Sequence, residues 1–561
     1  MNSLITKPGV HVLILLGAIA SFVFFQFFYP YHLFYQEQNQ LFLFSWDYIT
    51  TYLDKPGWLA CLTGDFLTQF YYYRYAGPTI LTLSILMAGY NVRCGVEDAD
   101  IKGTWIPYTI AIAVMTMLVC FSLHYDYRLS SIIAVAGGAN VFRFSTKILV
   151  STRMSIKKLE NQALRHTSID GTRLPQWITA VSIFISMLVC HWFFGCGMWI
   201  YAALVLLGCI KYINKPGNYT RLAAIAIPLF IIMLDKRLYF IDFHTLYTHP
   251  GLGKFVKPQM DLEKTLAADC EYYFGNYNKV VNMIEKDKEP NSYMKFYYNL
   301  ISAQGRSLPA VLLKFPSNNL GTFETLGPDT PPLTIKFLNE LYWILGDMTF
   351  CERAAMLANV CSPENRNIRM IKRLAEINLV KGDYDAARKY LRILQKTFVW
   401  SRWANRAFDA LGRKASSYDK ALLQQYIDKR PYLNTRDTLR LNDNCHTIMS
   451  ELIESNPNNN IAINYMLCSD LLLKDMETFK HDYDAYYLKQ QNVTYEKLYQ
   501  EALAIYLAGT KAPPAEWAKY IKRQDVLQRF KLYNEQRGNP AFKDTYWYYF
   551  DKAEAPKLNN N

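Results

Sequence analysis

Between residues 30 and 75 four carboxylates, Glu37, Asp47, Asp54 and Asp65, stand among many aromatic side chains. A carboxylate beside a membrane surface can take a proton from a nucleophile, or hold a metal ion that binds phosphate. Glu37 is the first candidate for such a role and Asp65 the second. The same acids also suit a plain solvated loop, and Glu37-Gln38-Asn39 offers no second acid beside the first. Arg143 is a candidate of another kind, a charge inside an otherwise apolar run. Asn140 lies one helical turn before it, and Gly137-Gly138 would let a neighbouring helix come close. A charge at such a place is usually paired, so a carboxylate or phosphate partner is one reading. The favoured reading is that its long side chain snorkels to the membrane surface near Lys147.

Other residue types signal no site. Among 11 cysteines there is no Cys-x-x-Cys, so no zinc knuckle or thioredoxin-like site is indicated. Cys351 and Cys361 are spaced to bridge neighbouring helices, although thiols buried in helix packing account for them better. His244 and His249 lack the i, i+4 spacing of a helical zinc site. No glycine loop that cradles phosphate and no Gly-x-Ser-x-Gly elbow occurs. Neither a metal nor a cofactor is expected.

The elements that must position these residues fall into two halves. Of the 561 residues 51% are hydrophobic and only 19% charged, which excludes a disordered chain and a small disulfide-stapled domain. The long uncharged runs lie in residues 1–235, and residues 236–561 are polar. Runs at about 9–29, 76–92, 105–123, 129–150, 177–194, 197–213 and 222–234 read as seven membrane spans. Gly195-Cys196-Gly197 interrupts a 34-residue run and reads as a turn between two short spans. The first run exceeds a signal-peptide core and no small-x-small cleavage site follows it, so it reads as an uncleaved anchor.

Lys and Arg set the orientation. With a cytoplasmic N-terminus, twelve basic residues fall on inner segments and five on outer ones, namely Lys55, Arg74, Arg128, Lys236 and Arg237. Seven crossings then put residues 30–75 and 236–561 outside the cytoplasm. The net charge of +13 is spread over both halves, and nucleic acid is not an expected partner on that side. The expected partners are the lipid bilayer and, for the polar half, a protein or glycan.

The polar half shows helical periodicity broken by turns, and one pattern recurs. An apolar helix leads into a polar turn and then a second helix, at Gly275-Asn276-Tyr277, Gly346-Asp347-Met348, Gly382-Asp383-Tyr384 and, in degenerate form, Lys474-Asp475-Met476. Ala375, Ala387 and Leu391 place small and large residues as a crossing helix pair needs. Over residues 265–510 this half resembles the tetratricopeptide superfamily, which implies a curved stack of helix pairs with a binding face. The alternative is an irregular α-helical domain. The fold class expected is therefore all-α, a polytopic membrane domain followed by a tetratricopeptide-like solenoid.

Two further resemblances concern residues 30–75. A carboxylate-bearing first outer loop with surface helices resembles that of polytopic glycosyltransferases that use lipid-linked sugar donors. That resemblance implies a catalytic carboxylate at Glu37 or Asp65, although the paired acids usual there are missing. The stretches Tyr35-Gln36-Glu37-Gln38-Asn39-Gln40-Leu41-Phe42-Leu43-Phe44, Pro56-Gly57 and Asp65-Phe66-Leu67-Thr68-Gln69-Phe70-Tyr71-Tyr72 resemble a family of uncharacterised integral membrane proteins from Bacteroides-type bacteria. This implies an inner-membrane location with the polar half in the periplasm. The leading expectation is a non-enzymatic membrane protein whose helical-repeat half binds or scaffolds a partner, with the transferase second. Few polar residues inside the runs and no internal repeat argue against solute transport.

Overall fold

The computed structural model describes residues 7–101, 105–163, 176–210, 217–305, 307–315, 326–327, 329–412, 415–433, 445–491 and 493–554. Lys102, Arg165, Arg173, Lys211 and Lys215, five of the inner basic residues, lie outside that set. The fold is all-α, with no strand among the described residues. Two compact units form, residues 1–263 with 396–399, and residues 264–395 with 400–561.

This boundary falls at 263/264 rather than at 235/236, because the polar stretch after Asp235 is tied into the first unit. The Tyr247 hydroxyl donates to the Leu229 carbonyl at 2.7 Å, and Trp199 Nε1 donates to the Tyr247 carbonyl at 2.9 Å. Leu246 is fully buried among residues of the apolar helices.

In the first unit four helical stretches are long and apolar enough to cross a membrane: Gly9–Phe28, Ala76–Asp98, Leu129–Thr152 and Gln176–Cys209. Ile106–Phe121 and Tyr219–Ile232 are apolar but shorter. At 1.5 Å per residue, even the sixteen residues of Ile106–Phe121 reach only about 24 Å, less than a typical hydrocarbon core. The outer faces of these helices carry exposed Leu15, Leu16, Leu83, Met87, Phe144 and Phe230, a surface suited to hydrocarbon. The last of the long stretches breaks into Gln176–Phe194 and Met198–Ile210 around a 3₁₀ turn at Gly195–Gly197. Gly195 adopts φ +51°, a left-handed conformation that glycine takes without a Cβ penalty. A Cβ on Gly138 would overlap the Gly197 carbonyl oxygen, so glycine there lets the Leu129–Ala163 helix lie against the turn.

The helix ends gather into two sets. In one, the Tyr29 hydroxyl donates to the Leu123 carbonyl at 3.0 Å, and Gln36 Nε2 donates to the carbonyls of Tyr125 and Tyr127. In the same set Gly57 N donates to Trp192 O at 2.9 Å and Cys196 N to His249 O at 2.7 Å. The Phe121 and Phe255 rings meet at 4.8 Å. The other set joins Arg143 to Asp98, Arg93 to Tyr108, and the His11 ring to the Tyr108 ring. Each set takes the end of one apolar helix and the start of the next, so consecutive helices run up and down.

The second unit is built from helix pairs. Met260–Tyr273, which starts in the first unit, is followed by Tyr277–Lys286; Pro332–Leu345 by Met348–Val360; Ile368–Lys381 by Tyr384–Gln395; and Asn460–Leu473 by Met476–Asp482. All four turns recognised in the sequence are left-handed, at Gly275, Gly346, Gly382 and Lys474. The chemistry of the turn is local. The left-handed residue closes the first helix, and in three of the four turns the aspartate after it caps the second, whereas Asn276 after Gly275 makes no side-chain cap. Asp347 accepts from Phe350 N, Asp383 from Ala386 N and Asp475 from Thr478 N, each at 3.0–3.1 Å. Ala375, Ala387 and Leu391 are fully buried where the helices cross.

Candidate functional site

In the first unit the helix Tyr31–Gln38 carries Glu37. Its first backbone N–H groups are capped from far along the chain, since Glu263 accepts from Tyr31 N at 2.6 Å and from His32 N at 3.2 Å. Burial pushes the Glu263 carboxyl up to about 8 and holds the His32 imidazole down to about 3. The 4.0 Å approach between them is thus a contact of two uncharged groups at neutral pH. Glu37 faces inward beside Tyr72, 3% exposed, and burial pushes it up to about 8. Asp65 sits on the helix Trp58–Thr68 and accepts from the Tyr52 hydroxyl at 2.8 Å, while its backbone carbonyl accepts from Gln40 Nε2. The two carboxylates named from the sequence therefore have separate surroundings, Glu37 buried near Tyr72 and Asp65 hydrogen-bonded to Tyr52.

Arg143 does find a carboxylate. Its guanidinium lies 3.4 Å from Asp98 at the end of the Ala76–Asp98 helix, donates to Asn91 Oδ1 at 3.2 Å and stacks over the Tyr90 ring. Of the two readings open in the sequence, a carboxylate partner is the one seen, because Asp98 stands within reach of the side chain. Asn140 is exposed and is not part of this group.

The second unit holds a buried charge network. Arg369 donates two parallel hydrogen bonds to Asp269, at 2.7 and 2.8 Å, and a third to Glu340 at 3.0 Å. Arg373 pairs with Glu340 and Glu376, and Lys372 with Glu376. The Tyr297 hydroxyl donates to Asp269 at 2.5 Å. Burial alone would push Glu340 up, but the Arg373 and Arg369 guanidiniums outweigh it and hold the carboxyl below its ordinary range. Arg369, Lys372, Arg373 and Glu376 follow one another at helical spacing on a helix whose other residues are mostly apolar. This stripe of charge, passed over in reading the sequence, could have marked the helix as part of a network but not named its partners on other helices.

Beside the network opens a pocket of about 250 Å³ lined by Gln304, Trp343, Ile344, Gly346, Lys429, Tyr432 and Ile461. Two cations stand by the Trp343 ring, with the Arg373 guanidinium 4.3 Å and the Lys429 ammonium 4.8 Å from its centre. Gly346, left-handed at φ +83°, brings the backbone against Tyr432. Burial holds the Lys429 ammonium below its ordinary range, so an anion in the pocket would offset the cost of burying that charge. A third group, His446, Asp470 and Asp482, lies on three successive helices and has the donor atoms of a metal site. Nothing in the spacing of these three residues marks them in the sequence.

The eleven cysteines are all free thiols. Cys351 is buried and hydrogen-bonded to Asn339, whereas Cys361 is exposed, so the two form no bridge.

The class thus defined is an all-α protein with two units, one holding four helices long and apolar enough to cross a membrane and the other built of capped helix pairs. The chain belongs to the family of unknown function DUF6057, which matches residues 5–553. No curated protein and no solved structure matches it.

Proposed function

We propose that this chain is a multi-pass inner-membrane protein whose second unit, a tetratricopeptide-like stack outside the cytoplasm, binds an acidic segment of a partner protein. Seven crossings with a cytoplasmic N-terminus assign residues 30–75, 124–128, 195–197 and 236–263 to one side. The hydrogen bonds that join Gln36 to Tyr125, Gly57 to Trp192 and Cys196 to His249 support that assignment, since segments on one side can meet. Arg143, Asp98, Arg93 and Tyr108 gather in the same way on the other side. The tetratricopeptide-like reading is supported by the four left-handed turns and the repeated aspartate caps.

The observation that carries the binding reading is Trp343 at the wall of a pocket, with the Arg373 and Lys429 cations 4.3 and 4.8 Å from its ring centre. An aromatic platform with a partly desolvated lysine suits a carboxylate-bearing segment of extended chain. The test is a photo-crosslinking residue at Tyr432 in the full-length protein in its native membrane. A discrete adduct to another protein is expected, and Lys429→Glu or Trp343→Ala should abolish it. An adduct indifferent to both changes, or none at all, would defeat the reading.

The lipid-linked transferase is less well supported. Its catalytic carboxylate must be ionised to act as a base or hold a metal, and burial keeps the Glu37 proton in place up to about pH 8.

A further inference from the structure

We propose that His446, Asp470 and Asp482 form a binding site for one divalent transition-metal ion of the zinc type. His446 comes from the helix Cys445–Ser455, Asp470 from Asn460–Leu473 and Asp482 from the end of Met476–Asp482. One donor atom from each lies within 4.8 Å of the others. His446 Nε2 and Asp482 Oδ2 are 2.6 Å apart. A tetrahedral zinc ion with bonds of about 2.1 Å spaces its donor atoms roughly 3.4 Å apart. The His446–Asp482 pair is closer than that and no pair exceeds 4.8 Å, so an ion would enter by replacing the His446–Asp482 hydrogen bond and spreading those two donors apart.

The unsatisfied chemistry of the cluster points the same way. Asp470 is 3% exposed, yet its Oδ2 has no hydrogen-bond partner. A buried carboxylate oxygen left in this state is costly, and a cation in contact with it removes the penalty. Asp482 is equally buried, and its second oxygen accepts from His481 Nδ1 at 2.9 Å. This bond orients the carboxylate as an outer-shell partner orients a metal ligand. Asp475, the nearby third acid, is already used, capping Thr478 through both its oxygens. Its absence from the donor set leaves one imidazole and two carboxylates.

That set discriminates between ions. Calcium takes six to eight oxygen ligands and magnesium keeps most of its water, so neither is well served by three donors that include an imidazole. Zinc and its neighbours accept mixed nitrogen and oxygen donors at four-coordinate sites. The His446 side chain is 38% exposed, which gives the ion a way in and leaves room for a water or a partner's donor as fourth ligand. The bound ion would tie three helices of the second unit together.

The experiment uses the full-length protein in detergent, stripped with a chelator and titrated with Co²⁺ as a visible-absorbing probe, then with Zn²⁺ in competition. Saturable binding of one equivalent is expected, with d–d absorption bands that Zn²⁺ abolishes. His446→Gln changes a side chain that is 38% exposed, and Asp470→Asn keeps the shape of the ligand. Each should weaken Co²⁺ binding at least 10–100-fold. The proposal is overturned if the unaltered protein binds no stoichiometric ion, or if both variants bind Co²⁺ as tightly as it does.

Discussion

Replacing Arg369 with methionine should unfold the second unit far more readily than any surface change. The side chain is 2% exposed and touches two carboxylates, Asp269 and Glu340, themselves nearly as buried. After the change, among the described residues, Asp269 keeps the Tyr297 hydroxyl without a paired cation, and Glu340 keeps its ion pair with Arg373. Breaking one partner of a buried pair costs about 3–5 kcal/mol, most of it the desolvation of the charge left behind. For a unit of this size that is a fall in midpoint on the order of 10 °C. The assay is thermal unfolding of the full-length protein in detergent, followed by tryptophan fluorescence, since Trp343, Trp400 and Trp403 all stand by this network. Adding Asp269→Asn removes the stranded charge, so the double variant should lose at least about 1 kcal/mol less than the sum of the single ones. A loss under about 1 kcal/mol for Arg369→Met, as for an exposed pair, or simple additivity of the two changes, would refute the reasoning.

Three other outcomes follow from the geometry. Glu263 has a folded-state carboxyl raised to about 8, so its contribution to stability is full below its ordinary range and is lost as pH rises through 8. Glu263→Gln should flatten the decline in stability of the first unit between about pH 5 and 8, which a pH series of unfolding curves will show. Gly138→Ala puts a methyl into the Gly197 carbonyl, whereas Gly17 has nothing within 4 Å of its Cβ position. Size-exclusion profiles in detergent should show Gly138→Ala aggregated and Gly17→Ala unchanged, and equal profiles would contradict the close approach at Gly197. Glu37→Gln replaces a carboxyl already protonated at neutral pH, so expression, folding and partner crosslinking should all stay within twofold of the unaltered protein. A complete loss of function with normal folding would restore the transferase reading.

The parts of this fold that were legible are those written in local chemistry. Gly346-Asp347 and Gly382-Asp383 encode a left-handed stop and an aspartate cap in adjacent residues, and Lys474-Asp475 does the same without glycine. The break at Gly195–Gly197 was readable from three small residues in an apolar run. What escaped the sequence depends on distant pairing. The capping of Tyr31 by Glu263, and hence the boundary at 263, joins residues more than 200 positions apart. Asp98 as the partner of Arg143, and Asp269 as the partner of Arg369, are fixed by helix packing that no spacing reveals. The pocket at Trp343 likewise takes its cations from different helices, Arg373 from one and Lys429 from the end of another.

The central claim is that an uneven number of crossings carries the helix-pair unit out of the cytoplasm. A dual phosphatase and β-galactosidase reporter fused after Asn561, with a second fused after Ala163, tests it directly. Phosphatase activity at the first junction with β-galactosidase activity at the second is the predicted result. β-Galactosidase activity at both junctions would place the Trp343 pocket in the cytoplasm and contradict the account.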